Sequence, residues 1–311
     1  MPSEILEYQS KLIADTSNVQ EPPLSLPYGT PVKVANGIHS ILACNPKDYT
    51  GIGTNTYLVG KNTLWIIDPG PACPDHIKAV LSAVAGRPVA GICITHTHMD
   101  HSPAAMTLQE ATGAKTYGYG AICPTVAART TEAIDHNFEP DVLLSDGACL
   151  GQDAWGLKAI HTPGHFPNHM CYMLPEQKVL FSGDHVMGWS STVIMPPLGN
   201  LADYMASLDL LEACDAALML PSHGEKVLAP NKRIDEIRQH RIMRHQQVAV
   251  CMGNGVFNPA EIVEQIYDEL SACLFDAAQG CVMAHMELLQ QGITMPVGAL
   301  APISRSHRDS V

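Results

Sequence analysis

Three histidines and an aspartate stand within six residues in the stretch CITHTHMDHSP, which continues the apolar run VAGICI. Such a run is typical of a strand buried in a sheet, whereas imidazole and carboxylate groups need water, a partner or a metal ion. Both demands are met where a buried strand ends and its loop carries the polar groups. The sequence therefore predicts a sheet with a functional edge, at which we expect His96, His98, Asp100 and His101.

Three later segments have the same character. In HTPGHFPNHM (161–170), LFSGDHVMG (180–188) and LPSHGEK (220–226), an apolar strand delivers a histidine or aspartate into a turn rich in Gly, Pro or Ser. Loops that follow strands are places where a rigid scaffold holds functional groups. The candidates from these segments are His165, Asp184 and His223, which makes seven groups in all.

Imidazole and carboxylate suit zinc and other first-row divalent metals, and a two-metal site needs about three protein ligands per ion plus a bridge. Side chains two residues apart on a strand project the same way, so His96 and His98 are predicted to chelate one ion. Asp100 and His101, past the turn, then reach a second ion about 3.5 to 4 Å away. We expect two divalent ions, zinc first, with manganese or iron as alternatives.

A single histidine is more often a surface or capped residue than a ligand, but a cluster backed by three later segments favours a metal site. His161, His169 and His185 lie beside the candidates, and we interpret them as outward partners of ligands or as pocket wall. Substrate selection is assigned to the turn 49–56 and to the loop after Asp184, with an ordinary cover loop as the alternative. The expected pocket residues are Phe166, Asn168, His185 and Trp189.

The chain divides into three parts by composition. Residues 1–31 are polar and then proline-rich and are predicted to form an N-terminal arm. Residues 32–225 alternate strand and helix patterns, which indicates a mixed α/β catalytic domain. Residues 232–311 are almost all helical, with Asn258 as a helix N-cap before Pro259, and end in the extended TMPVGALAPIS. Three short helices and a terminal hairpin predict a winged-helix-like domain.

The charge and cysteine content narrow the function classes. A net charge of −13 disfavours phosphate backbones and anionic membranes as partners. Ten cysteines without a C-x-x-C pair fit free thiols in a reducing cytoplasm. We find no signal peptide and no apolar run long enough to span a membrane, and therefore expect a cytoplasmic protein.

The motifs THTHMDH, TPGH, FSGD and PSHG, in this order, resemble those of the metallo-β-lactamase-fold hydrolases. The resemblance implies a four-layer αββα sandwich in which His96, His98 and His165 bind one ion, Asp100, His101 and His223 bind the other, and Asp184 bridges them. Asp184 places the chain nearer the glyoxalase II, lactonase and nuclease branches than the β-lactamases proper. The C-terminal part resembles the winged-helix extension of the β-lactamase-like protein 2 group, some of which are endoribonucleases acting on single-stranded RNA.

The C-terminal charge argues against RNA as a partner. Residues 232–311 contain seven lysines and arginines against nine aspartates and glutamates. The arginine-rich helix at 232–245 either contacts RNA or a partner, or docks on the catalytic domain through Ile234, Ile237 and Ile242 while its arginines pair with acids. We favour docking.

The predicted activity is hydrolysis of a small-molecule ester, thioester, lactone or lactam. Two ions would share a water whose pKa falls toward about 7, giving a bridging hydroxide that attacks the substrate. Asp100 would orient this nucleophile or receive a proton, and Asp184 would hold both ions. The alternatives are a metal-dependent endoribonuclease and a metal-stabilised interaction module without turnover. The sequence does not indicate an oligomeric state.

Overall fold

A seven-stranded sheet forms the first half of the chain. The computed structural model describes residues 27–151, 154–267, 270–293 and 295. The first four strands pair antiparallel, and the fourth to the seventh pair parallel. The strands lie side by side in chain order: β1 (Pro31–Ala35), β2 (Ile38–Leu42), β3 (Asn55–Gly60), β4 (Leu64–Ile67), β5 (Val89–Cys93), β6 (Thr116–Gly118) and β7 (Val142–Leu143).

A five-stranded sheet follows. Its strands are β8 (Cys149–Leu150), β9 (Leu157–His161), β10 (Met170–Leu174), β11 (Val179–Gly183) and β12 (Leu218–Pro221), in the spatial order β12-β11-β10-β9-β8. The β11–β12 pair is parallel, and the other pairs are antiparallel. Three strands of this sheet therefore end beside the loops that carry His165, Asp184 and His223.

Alternating side chains hold the layers together. In β4, Trp65 and Ile67 are buried between the sheets with Phe181 of the second sheet, whereas Leu64 and Ile66 face outward into a second apolar cluster. This alternation is the period of two that a strand covered on both faces requires. The helices that supply this second cluster are α1 (Pro74–Val84) and α2 (Ala105–Thr112), whereas the short α3 (Pro124–Ala127) packs through Ala127 with Phe166.

The second sheet is covered by α4 (Leu201–Ala213) and by the first half of α5 (Pro230–Gly253). Leu180 of β11 lies in one buried cluster with Leu208 of α4 and with Ile234 and Ile237 of α5. The predicted αββα sandwich is thereby confirmed, and so is the docking of the arginine-rich helix through its isoleucines.

The C-terminal helices are α5, α6 (Pro259–Ile266) and α7 (Phe275–Gln290). Asn258 caps α6 as predicted, because its side chain accepts a hydrogen bond from the Ala260 amide. The prediction of three short helices is wrong for α5, which has 24 residues. Its second half is buried too: Val248 packs with α6 and α7 while the first half packs on the sheet. Because each half of α5 buries apolar side chains against a different neighbour, both halves are stabilised as one continuous helix.

Two predicted segments lie outside the described residues: most of the N-terminal arm (1–26) and, apart from Met295, the extended stretch 294–304. The described residues after Pro230 form helices and no strand, so the winged-helix-like domain stays a prediction. Each helix in the described ranges is too short or too polar to cross a lipid bilayer.

Candidate metal centre

The seven predicted groups converge at one edge of the two sheets. Asp184, which directly follows β11, lies at their centre. Its Oδ2 is 3.5 Å from His101 Nε2 and 3.8 Å from His165 Nε2, and its Oδ1 is 3.3 Å from His223 Nε2. His96 Nε2 lies 4.0 Å from the same Oδ2, so groups separated by up to 127 positions in the sequence lie within 4.0 Å of one carboxylate.

The donors form two clusters on either side of Asp184. His96, His98 and His165 are the three-histidine cluster, and Asp100, His101 and His223 are the carboxylate cluster. Within each cluster the ligand atoms all lie within 4.8 Å of one another, and Asp184 forms a third such group with His96 and His101. Donor sets of this composition and size can hold one divalent ion each, with Asp184 between them.

Backbone carbonyls fix two of the imidazoles from outside. His165 Nδ1 lies 2.7 Å from Val193 O, and His223 Nδ1 lies 3.1 Å from Gly53 O. A carbonyl oxygen only accepts, so each Nδ1 carries the hydrogen and donates it. The Nε2 lone pairs are therefore left facing the cluster.

Side chains fix the other three imidazoles. His101 Nδ1 lies 2.9 Å from Asp68 Oδ2, and His98 Nε2 lies 3.1 Å from Glu132 Oε2. His96 Nδ1 faces Thr95 Oγ1 at 3.0 Å, and this hydroxyl already donates to Asp68. In all three contacts the oxygen acts as acceptor, so the inner nitrogen of each ring keeps its lone pair.

These inward lone pairs fit a cation. His96 Nε2 and His98 Nδ1 are 2.8 Å apart, and two nitrogen lone pairs at this distance need a proton or a metal ion between them. His101 Nε2, His165 Nε2 and Asp184 Oδ1 are buried without a hydrogen-bond partner among the described residues. Buried polar atoms are rarely left without a partner, so five imidazoles and two carboxylates match a divalent metal centre.

The electrostatics differ between the clusters. Burial opposes the charged forms of Asp100 and Asp184, but the neighbouring imidazoles outweigh it and hold the pKa of both carboxyls well below the usual range. Burial likewise opposes a charge on His223, but Asp184 and Asp100 raise its pKa to about 10. Without a metal ion its Nε2 therefore carries a proton, which a bound cation would replace. Burial and the adjacent His101 and His98 lower the pKa of His96 well below its ordinary value. The negative field is therefore weaker at the three-histidine cluster than at the carboxylate cluster.

The structure changes one detail of the sequence prediction. Strand β5 ends at Cys93, so His96 and His98 lie in the loop beyond it, and strand alternation does not bring them together. The loop is held instead by its backbone, since Thr97 O accepts from the Asp135 amide at 2.8 Å. Asn168 adds a hydrogen bond from its Nδ2 to Thr97 Oγ1.

His169 supports Asp184 from behind. Its Nε2 accepts the Asp184 amide hydrogen at 3.1 Å, while its Nδ1 faces Thr162 Oγ1 at 2.8 Å. Gly183 makes this contact possible: its φ is +54°, and a Cβ there would lie 2.4 Å from His169 Nε2. The expected role of His169 as an outward partner of a ligand therefore agrees with its position.

The other flanking residues lie elsewhere than expected. Phe166, Asn168 and His185 are buried beneath the donors, and the His98 and Phe166 ring centroids are 4.3 Å apart. His185 Nε2 faces Tyr204 O, away from the clusters. His161 stacks on Tyr119 at 3.9 Å. Burial thus gives these three expected pocket residues a supporting position, and Trp189 alone of the four is partly exposed.

Two carboxylates of the site were not predicted. Asp68 directly follows β4 and accepts hydrogen bonds from Thr95 N, Thr95 Oγ1 and Ser222 Oγ as well as from His101. The signal was available, because β4 and β5 are parallel neighbours whose carboxyl ends meet at one edge. Glu132 comes from an irregular segment after α3, and no sequence pattern marks it.

Comparisons with known proteins match the part of the chain that contains the seven donors. The family model described as Metallo-beta-lactamase superfamily matches residues 49–223. A beta-lactamase-like protein 2 homolog of Caenorhabditis elegans is 30% identical over 249 residues, or 78% of this chain and 81% of the relative. An atrochrysone carboxyl ACP thioesterase of Aspergillus chevalieri is 29% identical over 239 residues, or 73% and 72%. A beta-lactamase domain protein from Burkholderia ambifaria superposes with a TM-score of 0.68 at 22% identity, covering 88% of this chain and 94% of its own.

Proposed function

The chain belongs to the metallo-β-lactamase superfamily and is a hydrolase, and we propose that it cleaves a small-molecule or carrier-bound thioester with two divalent metal ions. The observation that carries this proposal is the convergence of five imidazoles and two carboxylates in two adjacent donor clusters with Asp184 between them. The thioester is supported by the curated relative named as an acyl-carrier thioesterase. Esters, lactones and lactams share the acyl chemistry and are the neighbouring substrate classes.

In this proposal the three-histidine cluster would hold one ion and the carboxylate cluster the other, and Asp184 would be shared by the two clusters. Bound divalent ions supply a water molecule of lowered pKa and polarise the substrate oxygen. Zinc is our first choice because nitrogen and carboxylate donors suit it, and manganese and iron accept the same set.

Asp100 is the proposed proton acceptor. Its Oδ2 lies 3.3 Å from His101 Nε2 and 3.2 Å from His223 Nε2, and Thr54 Oγ1 donates to the same oxygen at 3.3 Å. The Asp100 side chain is 24% exposed, against 11% for Asp184. Asp100 is therefore the carboxylate placed to meet solvent and substrate, to orient the nucleophile and to receive a proton.

The arginines of α5 support an acyl substrate rather than RNA. Arg238 pairs with Asp209 and Glu212 of α4, and Arg241 is buried. Arginines engaged in this way are not available to bind phosphates. The endoribonuclease therefore remains the second candidate only through the C-terminal resemblance. An open Asp100 carboxylate beside the metal donors likewise favours turnover over a purely structural metal module.

We retain the three-part division 1–31, 32–225 and 232–311, and we place the protein in the cytoplasm. Ten free cysteines support that location, four of them buried, since free thiols persist in reducing compartments.

The test is turnover by purified, metal-loaded protein of four substrates: a simple thioester, a lactone, a β-lactam and labelled single-stranded RNA. We expect the thioester to be cleaved fastest, with little dependence on salt, and the chelator-treated protein to be inactive. RNA cleavage that falls steeply between 50 and 200 mM salt, on the order of the loss typical for phosphate contacts, would replace the thioester proposal. No turnover of any substrate would favour the structural metal module.

A further inference from the structure

The segment 185–193, which we call the site loop, follows Asp184 and has no strand partner. Its carbonyls are nevertheless bound by side chains. Tyr204 Oη donates to His185 O at 2.8 Å, and Arg233 donates to Met187 O at 2.8 Å and to Ser190 O at 2.9 Å. Arg241 donates from a terminal guanidinium nitrogen to Thr192 O. Both arginines belong to α5, so the C-terminal helices hold the site loop by its backbone.

The end of the site loop reaches a metal donor. Val193 O, one peptide beyond the Thr192 carbonyl bound by Arg241, accepts the Nδ1 hydrogen of His165. Thr192 Oγ1 also lies 3.3 Å from this nitrogen. Arg241 and His165 therefore hold adjacent carbonyls of the same short stretch, and a shift of that stretch changes the direction in which His165 Nε2 points.

The middle of the site loop reaches the other side of the centre. Arg233 binds the carbonyls on both sides of Trp189, whose indole lies against Gly51, where an added Cβ would be 3.3 Å from Trp189 Cζ2. Two residues further, Gly53 O accepts from His223. The site loop and the turn that supports His223 therefore touch through Trp189.

We propose that Arg233 and Arg241 are positioning residues of the metal centre, and that α5 thereby contributes to metal binding and substrate binding. Arg241 sets the affinity of the three-histidine cluster through Thr192, Val193 and His165. Arg233 sets substrate binding through Trp189. This inference rests on the proposed function and extends it to the C-terminal part of the chain.

The burial of Arg241 supports this role. It is 2% exposed, it lies over the Tyr204 ring at 5.3 Å, and it forms no ion pair with a described residue. A buried guanidinium without a carboxylate is costly to stability, and an apolar side chain of similar volume is often as good. Its fixed geometry toward a backbone carbonyl is what an apolar residue could not provide.

The experiment compares Arg241→Met, Arg233→Gln and the control Arg238→Gln, each in the full chain. Arg238 stands on the same helix, but among the described residues its guanidinium contacts only Asp209, Glu212 and Asp235, so it reports the loss of a helix arginine alone. The readouts are Co²⁺ and Zn²⁺ affinity by competition with a chelator, the absorption spectrum of the Co²⁺ form, and kcat and KM for the thioester. Circular dichroism verifies folding.

We expect Arg241→Met to weaken binding of one Co²⁺ ion by about 10- to 100-fold and to change its absorption spectrum, as loss of an indirect support of a ligand does. Arg233→Gln is expected to raise KM by about fivefold or more with nearly normal kcat and metal affinity. This pattern is expected when the lost contact binds substrate and transition state equally well. Arg238→Gln should match the wild type, and Arg241→Lys should recover part of the Co²⁺ affinity.

Folded Arg241→Met and Arg233→Gln variants that match Arg238→Gln in metal affinity, spectrum and KM overturn the inference. If Arg241→Met does not fold, the KM of Arg233→Gln decides the question. Metal affinity is measured without turnover, so a wild type that binds Co²⁺ but hydrolyses nothing refutes the proposed function, and Arg241→Met still tests the inference through metal affinity and spectrum.

Discussion

The two halves of the metal centre differ in charge. The three-histidine cluster contains imidazoles alone and shares the Asp184 carboxylate, whereas the carboxylate cluster has Asp100 of its own and Asp68 directly behind His101. A divalent ion in the carboxylate cluster is therefore neutralised by groups of that cluster. An ion in the three-histidine cluster depends on Asp184 and on the more distant Glu132. Metal binding in the three-histidine cluster should therefore depend on the Asp184 charge more strongly than metal binding in the carboxylate cluster does.

The two halves also differ in where their support comes from. Asp68 and Gly53, which fix His101 and His223, belong to strands and turns of the first sheet. In the three-histidine cluster, Thr95 fixes His96, but His98 depends on Glu132, from an irregular segment, and His165 depends on Val193 at the end of the site loop. We therefore expect remote changes to affect the three-histidine cluster first.

The largest effect is expected from Asp184→Asn, which keeps the size of the side chain and removes its charge. Turnover should fall by about a thousandfold or more, because Asp184 is the one carboxylate in the described part of the chain that faces donors of both halves. The three-histidine cluster should lose its ion first. Metal per chain after dialysis, measured by elemental analysis, and kcat/KM check this. Two retained ions with full activity would contradict the role of Asp184.

His165→Ala and His223→Ala separate the halves. Each removes one imidazole from one cluster only, so each variant should lose about one ion per chain and about a hundredfold or more in turnover. The Co²⁺ spectra of the remaining ion should differ between the two variants, since the surviving donor sets differ. Identical spectra would show that the two clusters do not act as separate sites.

The seven donors could be predicted because each follows an apolar strand pattern in the local sequence, and the sandwich could be predicted from the resemblance that their motifs carry. A strand that ends in His or Asp carries its own signal, and strands such as β4 show burial by alternation. Glu132 could not be predicted, since its contact with His98 spans 34 positions and comes from a segment without periodicity. The arginines of α5 were expected to pair with acids, which Arg238 does. Arg241 instead binds a carbonyl of the site loop, and only the fold brings the two together.

Asp68→Asn tests, through the free energy of unfolding, whether Asp68 holds the carboxylate cluster in place. Asp68 is fully buried and accepts from Thr95, His101 and Ser222, and an amide cannot accept all of these hydrogens. Loss of buried acceptors should lower the free energy of unfolding by about 2 to 4 kcal/mol. Urea denaturation of the chelator-treated protein measures it without metal. A change below about 0.5 kcal/mol, the scale of an ordinary surface substitution, would refute this support.

Glu132→Gln is the matched change at the three-histidine cluster, and its expected effect is the smallest. The Glu132 side chain is 13% exposed and contacts His98 at 3.1 Å, so an amide there keeps the packing and can still accept the imidazole hydrogen. The substitution removes the negative charge that makes the His98 imidazole a stronger metal ligand. We expect about tenfold weaker Co²⁺ binding at one site, the lower end for such partners, and nearly unchanged stability. If the substitution weakens the binding of both ions equally, the two halves are not electrostatically independent. Both ions would then respond to one shared electrostatic field.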